Sequence, residues 1–317
     1  MGQKRRVVVK IGTGVFTRGV GELDVAKMAA ICESVAGLKK RGFEVAIVSS
    51  GAVGLGMGRL GLKSRPKQTS TVQKCAAVGQ GILIDTWSKL FDAHSITTAQ
   101  ILLTKDDVDI QHRHKAMAEL MDEILKDGIV PILNENDCIS ASELNIKFGD
   151  NDLLSALVST LIKADTLVIL STASGLLNMT GDKAMIKRVE KIDSKILAMA
   201  RGTTSATAVG GMITKLKAAA MATRFGCGVY IASGSRPKVL EGIFGGENPQ
   251  EELDSWLRVA GDLSNQGELS DIEVRIRKTI ISFFEKTFDF FAPFAGDPGE
   301  TAVFIGGVLP EGAAKII

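Results

Sequence analysis

Residues 6–14 read Arg-Val-Val-Val-Lys-Ile-Gly-Thr-Gly, and this stretch decides the architecture. Its apolar run is short and closed by Gly12, Gly14 and, further on, Gly19, the pattern of a buried strand feeding a glycine loop. Working outward, Leu23, Met28, Ile31, Val35 and Leu38 recur at helical spacing over 23–40. That helix ends in Lys39, Lys40, Arg41 and Gly42, cations at the negative end of the helix dipole followed by a stop. Glu44 to Val48 is the next strand, and Ser49-Ser50-Gly51-Ala52 opens another helix.

The alternation continues. Helices are expected over 76–91, 113–126, 152–163 and 212–224, and strands over 96–103, 129–133, 166–170 and 228–232. Strands separated by helices of this length imply βαβ units, hence an α/β fold with a mostly parallel sheet covered on both faces. The glycine loops fall at strand carboxyl ends, where open α/β sheets place their ligands.

The chain has 317 residues, 45% apolar and 23% charged, which is enough to bury a core and excludes general disorder. Lys plus Arg is 38 and Asp plus Glu is 36, so there is no basic field to hold nucleic acid. No apolar run approaches the roughly 20 residues of a bilayer span, so no membrane role is expected. The basic start at Lys4, Arg5 and Arg6 precedes only three valines, too few for a signal peptide, and the reading is a cytoplasmic protein. Met1-Gly2 is followed by Arg6 where myristoylation wants Ser or Thr. Cys32, Cys75, Cys138 and Cys227 form no CxxC pair, and reduced thiols are the plain reading. The 34 glycines exceed the usual share of about 7%, which suggests loops that approach a ligand closely.

Four loops carry candidate chemistry. Lys10-Ile11-Gly12-Thr13-Gly14 can surround a phosphate with backbone N–H donors and one positive charge. It lacks both the P-loop spacing and the third glycine of a dinucleotide fingerprint, and a plain tight turn also accounts for it. Val48-Ser49-Ser50-Gly51-Ala52 suits a carboxylate or phosphate, or is ordinary helix capping; it is not a GxSxG nucleophile elbow. His94, His112 and His114 are the only histidines, and their spacing does not converge on a metal, so no metal-ligating set is expected.

Asn134-Glu135-Asn136-Asp137 and Gly149-Asp150-Asn151-Asp152 place two dense polar clusters on strand-to-helix loops. Asp150 or Asn151 fits a helix cap, but the two clusters together exceed what capping requires. Val209-Gly210-Gly211-Met212-Ile213-Thr214-Lys215 leads a glycine pair into a helix with a lysine one turn in, again suited to phosphate.

Lys-Ile-Gly-Thr, Ser-Ser-Gly-Ala, Ala-Ala-Val-Gly-Gln (76–80), Asn-Glu-Asn-Asp, Gly-Asp-Asn-Asp and Gly-Gly-Met-x-Thr-Lys occur in this order. From about Val7 to Phe244 the chain thereby resembles the amino-acid kinase family, in its γ-glutamyl kinase branch. The resemblance implies a three-layer α/β/α sandwich around a mostly parallel open sheet, with the amino acid held by about 1–165. The nucleotide would be held by about 166–247 and 299–309. It implies ATP-dependent phosphorylation of the γ-carboxylate of L-glutamate to L-glutamyl 5-phosphate, the first step of proline biosynthesis, with ATP and Mg²⁺. Proline as feedback inhibitor and a homo-oligomer, dimer or tetramer, are likewise implied. The alternatives are a sibling kinase acting on another small anion, or an amino-acid sensor without turnover.

Residue by residue, the resemblance makes Lys10 and Lys215 the phosphate-neutralising lysines. Asp150 would be the carboxylate that positions them, with Asp152 in support. Ser50, Gly51, Asn136, Asp137 and Asn151 would hold glutamate, Asp137 facing its α-ammonium. Lys10, Gly12, Thr13, Ser171, Thr172, Val209, Gly210, Gly211, Met212, Ile213, Thr214 and Lys215 would meet ATP. The chemistry agrees: a γ-carboxylate is already anionic at neutral pH, so the reaction needs charge neutralisation rather than a general base. The two lysines must then face one another across a shared acid.

The chain departs from the family pattern at Thr172, where an acid is usual, at Leu177 for a tyrosine, at Val209 for a threonine and at Gly14 for a serine. Nothing in the tail resembles the RNA-modification-type (PUA) domain of many relatives. Residues 248–298 read as a helical insertion, with six of the 13 phenylalanines between Phe283 and Phe294, and 300–304 as the last strand of the sheet.

Overall fold

The computed structural model describes residues 5–139, 151–173, 175–177, 185–186, 188–189, 192–200, 211–245 and 256–259. The chain divides into Met1–Asp262 and Leu263–Ile317, and all described residues lie in the first unit. In chain order the first elements are β1 (Arg6–Ile11), α1 (Thr13–Phe16), β2 (Thr17–Gly19), β3 (Glu22–Leu23), α2 (Val25–Lys40) and β4 (Glu44–Ser49). Next come α3 (Ala52–Arg59), α4 (Thr69–Asp92), β5 (Thr98–Leu103), α5 (Lys105–Asp109), α6 (Gln111–Lys126), β6 (Val130–Glu135) and α7 (Asn151–Leu161). Then follow β7 (Thr166–Ser171), β8 (Leu176–Leu177), β9 (Met185–Ile186), β10 (Arg188–Val189) and α8 (Ser194–Met199). The last are α9 (Met212–Arg224), β11 (Gly228–Ser233), α10 (Val239–Gly245) and β12 (Trp256–Val259).

The main sheet runs β10-β12-β11-β7-β1-β4-β6-β5. Its six strands from β11 to β5 are mutually parallel, and β12 lies antiparallel on β11. Pro131, with no N–H to donate, sits in β6 one residue before the pairing with β4 begins at Ile47 and Ile132.

Alternation sends successive residues of each strand to opposite layers. Val7, Val9 and Ile11 of β1, with Val45 and Ile47 of β4, pack with Phe16, Met28, Leu83 and Trp87 under α1, α2 and α4. Val8 and Ala46 face the other way, into a core shared with Leu154 and Val158 of α7 and Leu216 and Ala219 of α9. The result is the expected α/β/α sandwich. Lys10 shares its side of β1 with Val8, and period two therefore aims it toward α7 and α9.

β1 is the switch point of the sheet: β4, β6 and β5 extend from one edge of it, and β7 and β11 from the other. A crevice forms at the carboxyl ends where the order reverses, and Lys10 stands at its floor. Opposite the crevice, Arg6 ties the sheet together, its Nε 2.8 Å from Glu44 Oε2 and its Nη1 donating to Ile162 O at 3.1 Å.

Most expected elements end within two residues of expectation, and two departures are larger. The fourth helix begins at Thr69, seven residues earlier than the apolar spacing indicated, because its first two turns lie against α3 through small and polar residues. Within the segment read as a helical insertion, Trp256–Val259 is a strand of the sheet, set between β10 and β11. Trp-Leu-Arg-Val has strand propensity that a composition-based helical reading passes over. The phenylalanine-rich stretch and residues 300–304 lie outside the described residues. Among the described residues no helix is long and apolar enough to cross a membrane.

Candidate active site

Asp152, in the first turn of α7, is fully buried and joins the two lysines. Lys10 Nζ lies 2.5 Å from its Oδ1 and Lys215 Nζ 3.0 Å from its Oδ2. Both lysines are themselves buried, at 4% and 6% exposure. Thr214 Oγ1 sits 2.9 Å from Asp152 Oδ2 and 2.8 Å from Gly211 O, and donates its one proton to either.

The local fold explains the meeting. Asp152, Ser155 and Ser159 lie along the buried side of α7, where Ser155 Oγ donates to Asp152 O at 2.6 Å and Ser159 Oγ to Ser155 O at 2.7 Å. Small residues here, and Ala218, Ala219 and Ala222 on α9, let the helices close on each other. A carboxylate in the first turn of one helix is thus held against a lysine in the first turn of the other. Burial works to raise the Asp152 pKa, but the charges and hydrogen bonds of Lys10 and Lys215 outweigh it and hold the carboxyl below its ordinary value.

The expectation placed Asp150 at the centre of this arrangement with Asp152 in support. Among the described residues the shared acid is Asp152, and Asp150 lies outside them.

Next to this cluster a relay of amides runs through the second half of the crevice. Asn151 Nδ2 donates to Ser50 Oγ and to Asn134 Oδ1, both at 2.8 Å. Asn134 Oδ1 also accepts the Glu135 N–H at 2.9 Å, and Asn134 Nδ2 donates to Gln80 Oε1 at 3.0 Å. Gly51, at φ +109°, turns the chain between β4 and α3, and a Cβ there would meet the Phe16 ring at 3.2 Å. A small cleft beside the relay is lined by Ala52, Gln80, Asn136 and Asp137. Ser50 and Asn151 are therefore in direct contact, while Asn136 and Asp137 stand across the cleft from α3. Asn134 and Gln80 stand in the quoted Asn-Glu-Asn-Asp and Ala-Ala-Val-Gly-Gln motifs, but sequence alone assigned neither a role of its own. The signal for Gln80 lay in Gly79, whose Cβ would fall 1.8 Å from Ala52 O, so α4 presses its backbone onto α3 and delivers Gln80 to the crevice.

The expected nucleotide contacts are less uniform. The Gly12 N–H donates to Leu170 O at 3.0 Å, continuing the β1–β7 ladder, so it is not presented to a phosphate. A Cβ on Gly12 would lie 3.8 Å from Lys10 Nζ, so glycine keeps the space beside that ammonium open. Thr13 begins α1, and its carbonyl accepts from Thr17 Oγ1 at 2.9 Å. Ser171 is buried and its Oγ accepts the Ala173 N–H at 3.3 Å. Thr172 is exposed, and its Cγ2 lies 2.8 Å from where a Cβ on Gly14 would stand, so these two departures from the family pattern touch. Gly211 caps α9, but the Met212 side chain is buried in the core and Ile213 packs against the same cluster. Helical phase turns Met212 inward and leaves Thr214 and Lys215 facing the acid. Val209 and Gly210 lie outside the described residues.

Comparison with known proteins gives the family. The family model described as "Amino acid kinase family" matches residues 5–233. A glutamate 5-kinase of Marinomonas sp. (strain MWYL1) is 38% identical over 281 residues, covering 84% of this chain and 74% of that protein. One of Clostridium perfringens (strain 13 / Type A) is 39% identical over 250 residues, covering 77% of this chain and 93% of that protein. A solved carbamate kinase from Giardia lamblia, bound to AMP-PNP, superposes with a TM-score of 0.56 at 20% identity, over 83% of this chain and all of that one, and so shares the fold. With two lysines on one buried acid at the sheet's switch point and a family match over residues 5–233, which holds all six parallel strands, this chain belongs to the amino acid kinase family.

Proposed function

We propose that this chain transfers the γ-phosphoryl group of ATP to the γ-carboxylate of L-glutamate, giving L-glutamyl 5-phosphate and ADP. The observation that carries the reading is the pair Lys10 and Lys215 on the two oxygens of Asp152. Lys10, Lys215 and Asp152 sum to one positive charge, placed where an anionic donor and an anionic acceptor must approach each other. Fixed cations there stabilise the charge on the transferring phosphoryl group without reorganising. Asp152 positions both lysines and does not itself meet substrate. The relatives' names support glutamate as acceptor, and Asp137 on the cleft offers a partner for its α-ammonium.

Among the described residues no three His, Cys, Asp or Glu side chains gather to cage a metal. Mg²⁺ would accordingly be held mainly by the nucleotide's phosphates, where it reduces their negative charge. A cytoplasmic homo-oligomer inhibited by proline belongs to the same reading and rests on family likeness alone.

The test is hydroxamate formation with hydroxylamine in the presence of glutamate and Mg-ATP. Turnover that requires both substrates and falls to background in Lys10→Ala and Asp152→Ala is the expected result. Wild-type protein no faster than background overturns the reading.

A further inference from the structure

Gln80 is 8% exposed, and its Nε2 is buried with no hydrogen-bond partner among the described residues. A buried amide donor left unmet is costly, and such groups in native proteins usually await a ligand or water. The direction of the relay shows that this atom is the nitrogen. The Glu135 N–H can only donate, so the Asn134 atom that receives it is the carbonyl oxygen. Asn134 then presents its NH₂ to Gln80, so the Gln80 atom that receives it is Oε1 and the remaining one is Nε2. The same logic at the other end makes Asn151 Nδ2 the donor to Ser50 Oγ, which leaves the Ser50 proton to be donated onward. One backbone N–H therefore sets the polarity of the whole relay and leaves a donor at each end.

Gln80 lines the same small cleft as Asp137. An acid and an unmet amide donor on one cleft match the two charges of an amino-acid head group: the ammonium to Asp137, the carboxylate to Gln80. We infer that Gln80 is a substrate-binding residue whose Nε2 donates to an oxygen of the substrate's α-carboxylate. This rests on the kinase reading above and adds to it the residue that reads the α-carboxylate.

The experiment compares wild type, Gln80→Met and Gln80→Glu by steady-state kinetics with glutamate and with ATP, alongside thermal melting. Methionine fills the same volume without a donor, and glutamate keeps the acceptor for Asn134 but turns the free end into an oxygen. Losing a hydrogen bond to a charged group predicts a glutamate KM raised about 10- to 100-fold in Q80M, and at least as much in Q80E, with the ATP KM within about twofold. A glutamate KM within twofold of wild type in either folded variant overturns the assignment. So does a parallel rise of both KM values with a lowered melting temperature, the mark of a packing role. A wild-type protein without glutamate turnover overturns the kinase reading and this assignment with it, whereas an active wild type with an indifferent Q80M overturns this assignment alone.

Discussion

Lys10 Nζ lies 2.5 Å from Asp152 Oδ1, and that contact joins the switch-point strand of the sheet to the first turn of the helix covering it. Lys215 reaches the other oxygen of the same carboxylate from the neighbouring helix. Three distant segments, one in the sheet and two in the helix layer over it, thus converge on one acid.

Removing the acid strands two buried ammonium groups. Asp152→Ala is expected to lose roughly 3–5 kcal/mol of stability as well as activity, because a broken buried ion cluster leaves its charges uncompensated. Urea melts at pH 7 measure this. The pH dependence follows from the lowered pKa of Asp152. Its contribution is fully present above the unfolded carboxylate value of about 3.9 and is lost as pH falls through the lower folded value. Melts between pH 6 and pH 2 should therefore show an acid-side loss in wild type that is smaller in Asp152→Asn.

Removing one lysine has the opposite balance. Lys215→Met leaves Lys10 and Asp152 as a neutral pair, so the melting temperature should hold or rise while kcat falls about 10²- to 10³-fold. Lys215→Arg keeps the charge but brings a planar guanidinium where a compact ammonium sits 3.0 Å from Asp152 Oδ2, and should not restore activity. Melting curves and kcat on the same preparations separate the two effects.

Two glycines of the α3–α4 pair should respond with opposite signs. A Cβ on Gly79 would lie 1.8 Å from Ala52 O, so Gly79→Ala must push the helices apart, costing about 1–3 kcal/mol or more and raising the glutamate KM by moving Gln80. Gly54 has nothing within 4 Å of that position, and Gly54→Ala should stabilise by about 0.5–1 kcal/mol. Chemical denaturation of both variants checks the contrast.

Cysteine alkylation reports on the cleft. Burial pushes the thiols of Cys32 and Cys227 up to about 12, while Cys138 is half-buried beside Asp137 and is raised less far. Iodoacetamide should label Cys138 first, slowly at pH 7 and faster at pH 9 as the thiolate forms, with glutamate slowing it. Peptide mass mapping with and without glutamate reads the site.

Much of this was legible in local pattern. The strand at 6–11 and the lysine near its end followed from an apolar run and its glycines, whereas the glycine loop expected after it is the short helix α1 and the β2–β3 pair. The glycine pair before Lys215 marked the second cation in the same way. Spacing could not choose between Asp150 and Asp152. It is the rotation of α7 that puts Asp152 with Ser155 and Ser159 on the buried side. The rotation of α9 likewise buried Met212, left Ile213 half-buried against the core, and placed Thr214 and Lys215 on the acid. Gln80 stood in the Ala-Ala-Val-Gly-Gln motif, but its role was not legible there, since its partner Asn134 is 54 positions away.

The sequence by itself determined the α/β alternation, the parallel sheet and the loops at its carboxyl ends, because hydrophobic period and glycine placement act over a few residues. Only the tertiary structure placed Asp152 on both lysines and Gln80 on the cleft, and set Trp256–Val259 into the sheet between β10 and β11. Those outcomes depend on helix rotation and on pairing between distant segments, and both are set by how whole layers pack rather than by neighbours along the chain.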